Sequence, residues 1–354
     1  MLAHICCSVD SHYFLKKLRE GLPDEDIIGF FYNPNIHPYE EYELRLLDVK
    51  RSCEKYDIKL LEGEYDFEGW REAVKGLECE KERGKRCEVC FEARLEASAK
   101  KAKELGQKRV TTTLFMSPKK SFEQLSAAAE KIGKKEGVEV LCFDFRKKGG
   151  TQEQFKLARE DRLYHQNYCG CMYALNDQRA AKDRVTDELM SPISNEILYG
   201  SIAERTKLYK KVWECEKGNL DFRIEREKFH NYRLLWGRVL KEGEAVHSFF
   251  VGEYDFSGEP LEAKVVEVKD GLGFTGSDML FLSLKRFNEI TRKSYKSVKE
   301  LIYSPITRQE HLDVERKLAD FLPIIVLENV EKATYKIEAK STNYQDVREV
   351  LAIL

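Results

Sequence analysis

The sequence predicts an α/β protein with a doubly wound, mostly parallel sheet, followed by a separate α+β domain. Over about the first 175 residues, short apolar runs alternate with amphipathic stretches, and the connections between them are short. After about residue 190, strand-like segments follow one another directly, with Gly-containing turns. A chain of 354 residues is long enough for two domains, and we expect them at 1–190 and 191–354.

Five predicted strands form the sheet of the first region. Leu2–Cys6 and Ile27–Tyr32 are apolar, Lys59–Leu61 is a brief apolar run, Arg109–Phe115 is rich in Thr, and Val138–Phe145 has the pattern of a buried strand. Because helices are predicted between them, we expect a parallel sheet that is covered on both faces. Ligands of such sheets bind beyond the carboxyl ends of the strands.

The predicted helices of this region lie at Ser11–Leu22, Tyr39–Tyr56, Phe67–Gly76, from near Cys87 onward, at Ser121–Lys135 and at Thr151–Tyr164. The helix near Cys87 carries Leu95, Ala99 and Ala102 at helical spacing. In the second region we predict strands at Tyr232–Leu240, Ala245–Tyr254 and Leu261–Val268, a helix at Ser277–Thr291, and apolar runs at Phe321–Leu327 and Tyr335–Ala339.

The composition is that of a water-soluble chain with packed cores, because 42% of the residues are hydrophobic and 34% are charged. No apolar run reaches about 18 residues, so we expect no membrane partner. The segment 1–7 lacks the basic and apolar regions of a signal peptide, which predicts a cytoplasmic protein. The net charge of −2 gives no global sign of nucleic-acid binding, although an RNA partner needs only a local basic face.

Six of the ten cysteines fall into three close groups, which are Cys6-Cys7, Cys87-x-x-Cys90 and Cys169-Gly170-Cys171. Disulfides are rare in a reducing compartment, so close cysteine pairs point to metal or redox chemistry instead. The free N–H groups at a helix start favour thiolates, and Gly170 lets the backbone approach a metal. The remaining cysteines are isolated; Cys142 lies inside a predicted strand and is expected to be a core residue.

The number of thiolates bears on which metal is bound. Six exceed what one tetrahedral zinc needs. Four would hold a 4Fe–4S cluster, which leaves two for another metal, together with a carboxylate. Asp10, three residues after Cys7 and in the same turn, is the obvious carboxylate. It suits two interpretations equally well at this point: a metal ligand, or the N-cap of the helix Ser11–Leu22.

Several motifs together make residues 1 to about 178 resemble the QueH-type epoxyqueuosine reductases. The motifs are His4-x-Cys6-Cys7-x-x-Asp10, Tyr32-Asn33-Pro34-Asn35-Ile36-His37-Pro38 with Glu41-Tyr42, Cys87-x-x-Cys90 with Arg94-Leu95, Thr111-Thr112-Thr113-Leu114 with Ser117-Pro118, Lys147-Lys148-Gly149-Gly150, and Tyr164-x-Gln166-x-Tyr168-Cys169-Gly170-Cys171. The second half of the chain lies outside this pattern.

The resemblance implies the last step of queuosine biosynthesis, the removal of the epoxide oxygen from epoxyqueuosine in tRNA with a GUN anticodon, without cobalamin. It also implies a 4Fe–4S cluster beside a mononuclear iron, held by the six cysteines and Asp10. Many relatives have a cysteine where this chain has Asp10, so the division of ligands between the two metal groups stays open. The fold resembles tRNA-thiolating enzymes as well, but the glycines of their phosphate loop are missing from Cys6–Ser11.

Candidate roles for other residues rest on type and location. Tyr13, His37 and Tyr168 are candidate proton donors, and Tyr32, Asn33 and Asn35 offer stacking and hydrogen bonds to a base, although the segment is equally well explained as a turn fixed by its prolines. Candidate phosphate contacts are Lys147, Lys148, Arg159 and Arg162. No nicotinamide or flavin motif is visible, so the electrons are expected from an external donor such as a ferredoxin or flavodoxin.

Two other functions stay open from the sequence. One is ATP-dependent, cluster-assisted tRNA thiolation, and the other is an RNA-binding protein whose cysteines hold structural zinc. The second domain has no assigned role; Arg292-Lys293-x-x-Lys296-x-x-Lys299 suggests tRNA docking.

Overall fold

The computed structural model describes residues 1–118, 120–182, 184, 186, 197–318 and 321–354. The chain divides into two compact units. The first comprises Met1–Met190 and Ile202–Leu220, and the second comprises Ser191–Ser201 and Asp221–Leu354.

The first unit is built on a five-stranded, all-parallel sheet with the strand order β3-β2-β1-β4-β5. Its strands are β1 (Leu2–Ile5), β2 (Ile28–Phe31), β3 (Lys59–Glu62), β4 (Arg109–Thr112) and β5 (Glu139–Leu141). Its helices are α1 (Ser8–Gly21), α2 (Tyr39–Lys55), α3 (Phe67–Ala73), α4 (Lys85–Glu104), α5 (Phe122–Glu136), α6 (Gly150–Glu160), α7 (Met172–Ala180) and α8 (Ile202–Lys217). The predicted fold class is confirmed.

Helices cover both faces of this sheet because successive residues of a strand point to opposite sides. Ala3 and Ile5 of β1 pack in one core with apolar residues of α1 and α2. Leu2 packs in a second core with apolar residues of α4 and α5. Each face therefore has its own apolar cluster, as expected for a doubly wound sheet.

The strand order places a crevice at the carboxyl ends of β1 and β4. The chain moves from β1 to β2 and β3 on one side, then crosses to β4 and β5 on the other. His4 of β1 is paired with Thr112 of β4, so the residues that follow these strands begin side by side. Ligands of doubly wound folds bind at such a switch point.

Two predicted strands of this unit are shorter than expected. The Thr-rich strand ends at Thr112, and Thr113–Met116 forms a 3-10 turn in which the Leu114 N–H donates a hydrogen bond to the Thr112 hydroxyl. The strand predicted at Val138–Phe145 ends at Leu141. Cys142 is exposed just after it, so its prediction as a core residue is wrong.

Helix α8 groups with the first unit, although the sequence pattern changes before it begins. The Thr206 hydroxyl lies 3.4 Å from the Glu40 carbonyl oxygen, and the Tyr164 and Tyr209 rings lie 5.1 Å apart. These contacts attach α8 to α2 and to the segment after α6, whereas its sequence shows only an amphipathic helix.

The second unit contains an eight-stranded mixed sheet with the order β7-β6-β13-β9-β10-β11-β12-β8. Its strands are β6 (Phe222–Lys241), β7 (Glu244–Val246), β8 (Ser248–Val251), β9 (Leu261–Lys269), β10 (Leu272–Thr275), β11 (Leu280–Ser283), β12 (Ile324–Leu327) and β13 (Thr334–Ile353). Its helices are α9 (Leu284–Thr291), α10 (Val298–Tyr303) and α11 (Arg308–Lys317).

The helix predicted at Ser277–Thr291 is wrong in its first half. Leu280–Ser283 is a buried strand between β10 and β12, and the helix begins only at Leu284, capped by the Ser283 hydroxyl. An apolar tetrapeptide suits a buried strand as well as a helix, so its periodicity alone did not distinguish them. Among the described residues, no helix is both long and apolar enough to span a membrane.

Candidate metal centre

Cys6, Cys7 and Asp10 form a compact group of metal-binding side chains at the end of β1. Their ligand atoms all lie within 4.8 Å of one another, and all three residues are buried. The two sulfurs are 3.7 Å apart, and Cys6 Sγ lies 3.6 Å from Asp10 Oδ2. Two sulfurs and one carboxylate oxygen at this spacing suit a single metal ion.

The start of α1 positions this group. Cys7 is the N-cap residue and Asp10 lies in the first turn, so the interpretation of Asp10 as the N-cap is wrong. The Thr113 hydroxyl after β4 accepts a hydrogen bond from the Cys6 N–H at 3.1 Å. The Gln154 amide donates to Asp10 Oδ1 at 2.8 Å, which orients the carboxylate.

Cys169 and Cys171 lie on a loop that buried polar groups hold by its backbone. The Arg45 guanidinium donates to the carbonyl oxygens of Tyr168 and Cys169, at 3.0 and 3.2 Å. The His37 N–H donates to the Gly170 carbonyl oxygen at 2.9 Å. Gly170 has a φ of +106°, which L-amino acids rarely adopt, so the turn between the two cysteines requires glycine.

Cys87 and Cys90 lie one turn apart near the start of α4. Cys87 packs against the apolar cluster that contains Cys6 and Cys7, and Cys90 packs in a cluster with Cys171. Burial raises the pKa of the Cys87 thiol, and the neighbouring Cys169 and Cys90 add to this rise. The three cysteine groups therefore meet around one end of the sheet.

The thiols differ in their acidity in a way that follows from their pairing. A hydrogen bond with Cys7 lowers the pKa of Cys6, while burial raises that of Cys7. In the same way, a hydrogen bond with Cys171 lowers the pKa of Cys169 to about 5. Each pair thus favours one thiolate hydrogen-bonded to one thiol, because two adjacent anions repel each other. Burial also raises the pKa of Asp10.

An open cleft adjoins these residues. Cys6, Cys7, Asp10 and Cys169 line it, and so do three cationic residues, Arg45, Arg94 and Lys120. Among the described lining residues, Asp10 is the sole carboxylate. The excess of cations favours thiolates and anionic ligands in this cleft.

The three candidate proton donors differ in their relation to the cleft. Tyr168 lines it, with its hydroxyl donating to the His37 carbonyl oxygen and the Arg45 guanidinium carbon 5.2 Å from its ring centre. His37 is half-buried, and its ring stacks on Phe67 at 4.9 Å. Tyr13 is buried in the core between the sheet and α1. Only Tyr168 of the three is among the cleft-lining residues.

The side chains of the candidate base-binding segment, Tyr32 to Asn35, mostly make contacts within the protein. Asn33 is fully buried; its amide donates to the Ile5 carbonyl oxygen and accepts from Arg94. The Asn35 amide approaches the Cys169 carbonyl oxygen at 3.5 Å. Tyr32 is half-buried and stacks on Phe30. Both asparagines therefore shape the cysteine-bearing loops.

The candidate phosphate contacts Lys147, Lys148 and Arg159 are exposed. Lys147 lies 3.5 Å from Asp144, which partly neutralises it. Arg159 lies in the last turn of α6. None of these three residues lines the cleft described above, and neither does the fourth candidate, Arg162, which is also exposed.

Sequence reasoning missed several residues of the cleft. Arg45, Lys120 and His165 line it, and Gln154 contacts Asp10. Arg45, Lys120 and Gln154 lie far in sequence from the side chains that they serve, whereas His165 lies only four residues before Cys169. One weak signal existed for Arg45. It follows Glu41 by four residues on a predicted helix, and the structure shows a buried ion pair between them at 2.7 Å.

Comparisons with known proteins agree over the first unit and beyond it. Residues 1–177 match the family model described as epoxyqueuosine reductase QueH. The chain is 40% identical to the epoxyqueuosine reductase QueH of Helicobacter pylori, over 96% of this chain and 97% of that protein. The second unit is therefore shared with that relative.

Other relatives match only about half of this chain. The Thermotoga maritima QueH is 36% identical over 51% of this chain and 92% of that protein, and the Histophilus somni QueH is 36% identical over 50% and 72%. The solved U34-tRNA thiolase NcsA from Methanococcus maripaludis, with its 4Fe-4S cluster, gives a TM-score of 0.33 at 17% identity, over 60% of this chain and 72% of that chain. By its family model and its H. pylori relative, this chain belongs to the QueH family of epoxyqueuosine reductases, which are oxidoreductases.

Proposed function

We propose that this chain reduces epoxyqueuosine to queuosine in tRNA with a GUN anticodon, using a 4Fe–4S cluster and a mononuclear iron. The proposal rests on its membership of the QueH family and on one observation. Cys6, Cys7 and Asp10 converge within 4.8 Å at the switch point of the sheet, Cys169 lines the same cleft, and Cys171 packs with Cys90.

The donor set fits these two groups. A 4Fe–4S cluster takes four thiolates. The six clustered cysteines leave two sulfurs after that, and Asp10 adds a carboxylate oxygen beside them. We assign Cys87, Cys90, Cys169 and Cys171 to the cluster, because packing or charge interactions link all four. Cys6, Cys7 and Asp10 then remain for the single iron.

The reaction requires two electrons and two protons. Both C–O bonds of the epoxide break, a C=C double bond forms between the two carbons, and the oxygen leaves as water. When bound, the cluster and iron would supply the electrons and a Lewis acid for the departing oxygen. An external donor such as a ferredoxin or flavodoxin would restore the two electrons.

The protein's own residues orient the ligands and hold a proton. Gln154 fixes the Asp10 carboxylate, and the Gln166 amide lies 2.8 Å from Cys7 Sγ. Tyr168 is our choice among the candidate proton donors because it lines the cleft. Burial raises the pKa of Tyr168 well above its usual value, so its hydroxyl is protonated at neutral pH.

Cations around the cleft would bring the tRNA to this site. Lys120 lines the cleft and is partly exposed, so it can meet a phosphate beside the modified base. Lys147, Lys148 and Arg159 are exposed and would contact phosphates farther from the base, while the half-buried ring of Tyr32 would offer its accessible part to a nucleobase.

The test is anaerobic purification with quantification of iron and sulfide, followed by an assay of tRNA that carries epoxyqueuosine with a chemical reductant. We expect queuosine to form. The variant Cys169→Ser should lose cluster and activity, whereas Cys79→Ser, at an exposed cysteine outside the site, should keep both. A fully metallated protein that forms no queuosine would contradict the proposal. A protein that binds only zinc would favour the structural-zinc alternative.

A further inference from the structure

The second unit, which the proposed reaction does not use, carries a concentration of positive charge on α9 and α10. The segment Leu284–Tyr303 contains six basic residues and two acidic ones, whereas the chain as a whole has a net charge of −2. The basic residues are Lys285, Arg286, Arg292, Lys293, Lys296 and Lys299. A cluster of like charges creates a positive electrostatic potential at this surface, although the net charge of the whole chain is slightly negative.

Four of these cations remain without an acidic partner among the described residues. Arg286 pairs with Glu289 at 2.7 Å, and Lys293 pairs with Glu310 at 2.6 Å. Glu300, the other acidic residue of the segment, accepts a hydrogen bond from the Lys296 backbone N–H. The unpaired and exposed cations are Lys285, Arg292, Lys296 and Lys299.

Lys285 of α9 and Lys299 of α10 lie on the outer faces of their helices, because the opposite faces are buried in one core. Leu284 and Phe287 of α9 and Val298 and Leu301 of α10 belong to the same apolar cluster. Arg292 is the C-cap residue of α9, and Lys296 lies in the connection between the two helices. On α10, Lys299 precedes Tyr303 by four residues, so these two side chains lie on the same face of the helix.

Tyr303 gives this surface a second chemical property. It is 80% exposed, the most exposed of the large hydrophobic side chains among the described residues. An aromatic ring left in water beside cations suits a base that stacks on it while the cations contact phosphates. We call Lys285, Arg292, Lys296, Lys299 and Tyr303 the basic helical face.

The connection between the helices is held rigidly. The Asn288 amide group donates to the Tyr295 carbonyl oxygen at 2.9 Å and accepts from the Tyr295 N–H at 3.1 Å. The Tyr295 hydroxyl donates to the Ser304 carbonyl oxygen at 2.9 Å. A surface that is ordered before binding loses less conformational entropy when a partner docks.

We propose that the basic helical face binds RNA, by phosphate contacts from its four cations and by stacking of an unpaired base on Tyr303. This inference rests on the proposed function, since the RNA would be the tRNA substrate. The second unit would then raise the affinity for tRNA without taking part in the reduction. An acidic redox protein would meet the cations equally well, but it would not require the exposed ring.

The test uses the full chain and an unmodified tRNA transcript with a GUN anticodon, with affinity measured over a range of salt concentrations. For Lys296→Glu/Lys299→Glu we expect at least about a tenfold loss of affinity at about 0.1 M salt. The slope of log K against log salt should become shallower by about two, because the phosphates that are no longer contacted keep their condensed counterions. Tyr303→Ala should lower the affinity about tenfold with little change of slope.

The matched control is Lys228→Glu/Lys264→Glu, which reverses the charge of two exposed side chains on strands of the same unit. We expect it to change the affinity less than about threefold. Equal losses from both double variants, or no loss from the first, would overturn the proposal. So would unchanged tRNA affinity combined with lost electron transfer from a reduced flavodoxin, which would identify an acidic protein as the partner.

The outcome can be separated from a failure of the proposed function. Under the proposal, Lys296→Glu/Lys299→Glu with its full iron content should still form queuosine at saturating tRNA, with a raised KM and nearly unchanged kcat. If the unsubstituted chain forms no queuosine, the proposed function fails. If it forms queuosine and the variant has an unchanged KM, only the inference about the basic helical face fails.

Discussion

Arg45 holds Cys169 by its backbone: the guanidinium Nη1 donates to the Cys169 carbonyl oxygen at 3.2 Å from a position that is 2% exposed. The same guanidinium pairs with Glu41, and Glu41 also accepts a hydrogen bond from the Tyr164 hydroxyl at 2.8 Å. A buried charge so fully paired fixes the loop that carries two cysteines of the candidate centre.

Replacing Arg45 should therefore affect both stability and metal binding. Arg45→Met leaves the Glu41 carboxylate buried without its cation, which should cost about 3–5 kcal/mol in the free energy of unfolding. Arg45→Lys keeps a charge but cannot reach both carbonyl oxygens, so we expect about tenfold weaker iron binding. Urea unfolding and iron titration measure the two effects. The double variant Arg45→Met/Glu41→Gln should recover part of the stability, and normal iron binding by Arg45→Lys would contradict the positioning role.

Asp10→Asn tests the assignment of this residue to the single iron. Asparagine keeps the shape of the side chain but removes the charge that binds a metal most strongly. Under the proposed division of ligands, the variant should lose about one iron per chain while its sulfide content is unchanged. Glu153→Gln, an exposed carboxylate on α6, is the control. An unchanged ratio of iron to sulfide in Asp10→Asn would refute this assignment.

Gly170→Ala should disturb the loop between Cys169 and Cys171. Its φ of +106° disfavours a side chain, and an added Cβ would lie 2.7 Å from Ile36 Cγ1. We expect a loss of about 1–3 kcal/mol and weaker cluster binding. Gly76→Ala is the matched control, because Gly76 has a φ of +80° but nothing within 4 Å of the added Cβ. If both variants lose equal stability and both keep the cluster, the tight packing at Gly170 has no role in the site.

The stability of the second unit should depend on pH through His311. Burial lowers the pKa of His311 from 6.5 to about 4. Below pH 6.5 the unfolded chain therefore gains a proton that the folded chain does not take up until about pH 4. Stability should fall by about 1.4 kcal/mol per pH unit through this window and be fully present above it. Urea unfolding at pH 7 and pH 5 measures this fall, and His311→Gln should reduce it; an identical fall in the variant would exclude this histidine as the cause.

Local patterns predicted much of the first unit. Its five strands and most of its helices were expected within a few residues, because apolar periodicity reports which face of an element is buried. The errors arose where several structures suit one pattern. Leu280–Ser283 is apolar enough for a helix or a strand, and the long pair β6 and β13 contains charged stretches without apolar alternation. Pairing across the sheet, with Phe222 opposite Ile353, makes these stretches strands.

The sequence by itself determined the chemistry that is available: three close cysteine groups, one nearby carboxylate, and an α/β pattern that gathers loops at one edge of a sheet. Only the tertiary structure decided which residues serve that site. Arg45 reaches the Cys169 loop across 124 residues, and Gln154 reaches Asp10 across 144. Spacing along a chain predicts contacts within a turn or a helix, whereas contacts at such separations depend on strand order and on how the helices pack. For the same reason, Asp10 could be distinguished from a helix cap only once the start of α1 was placed at Ser8.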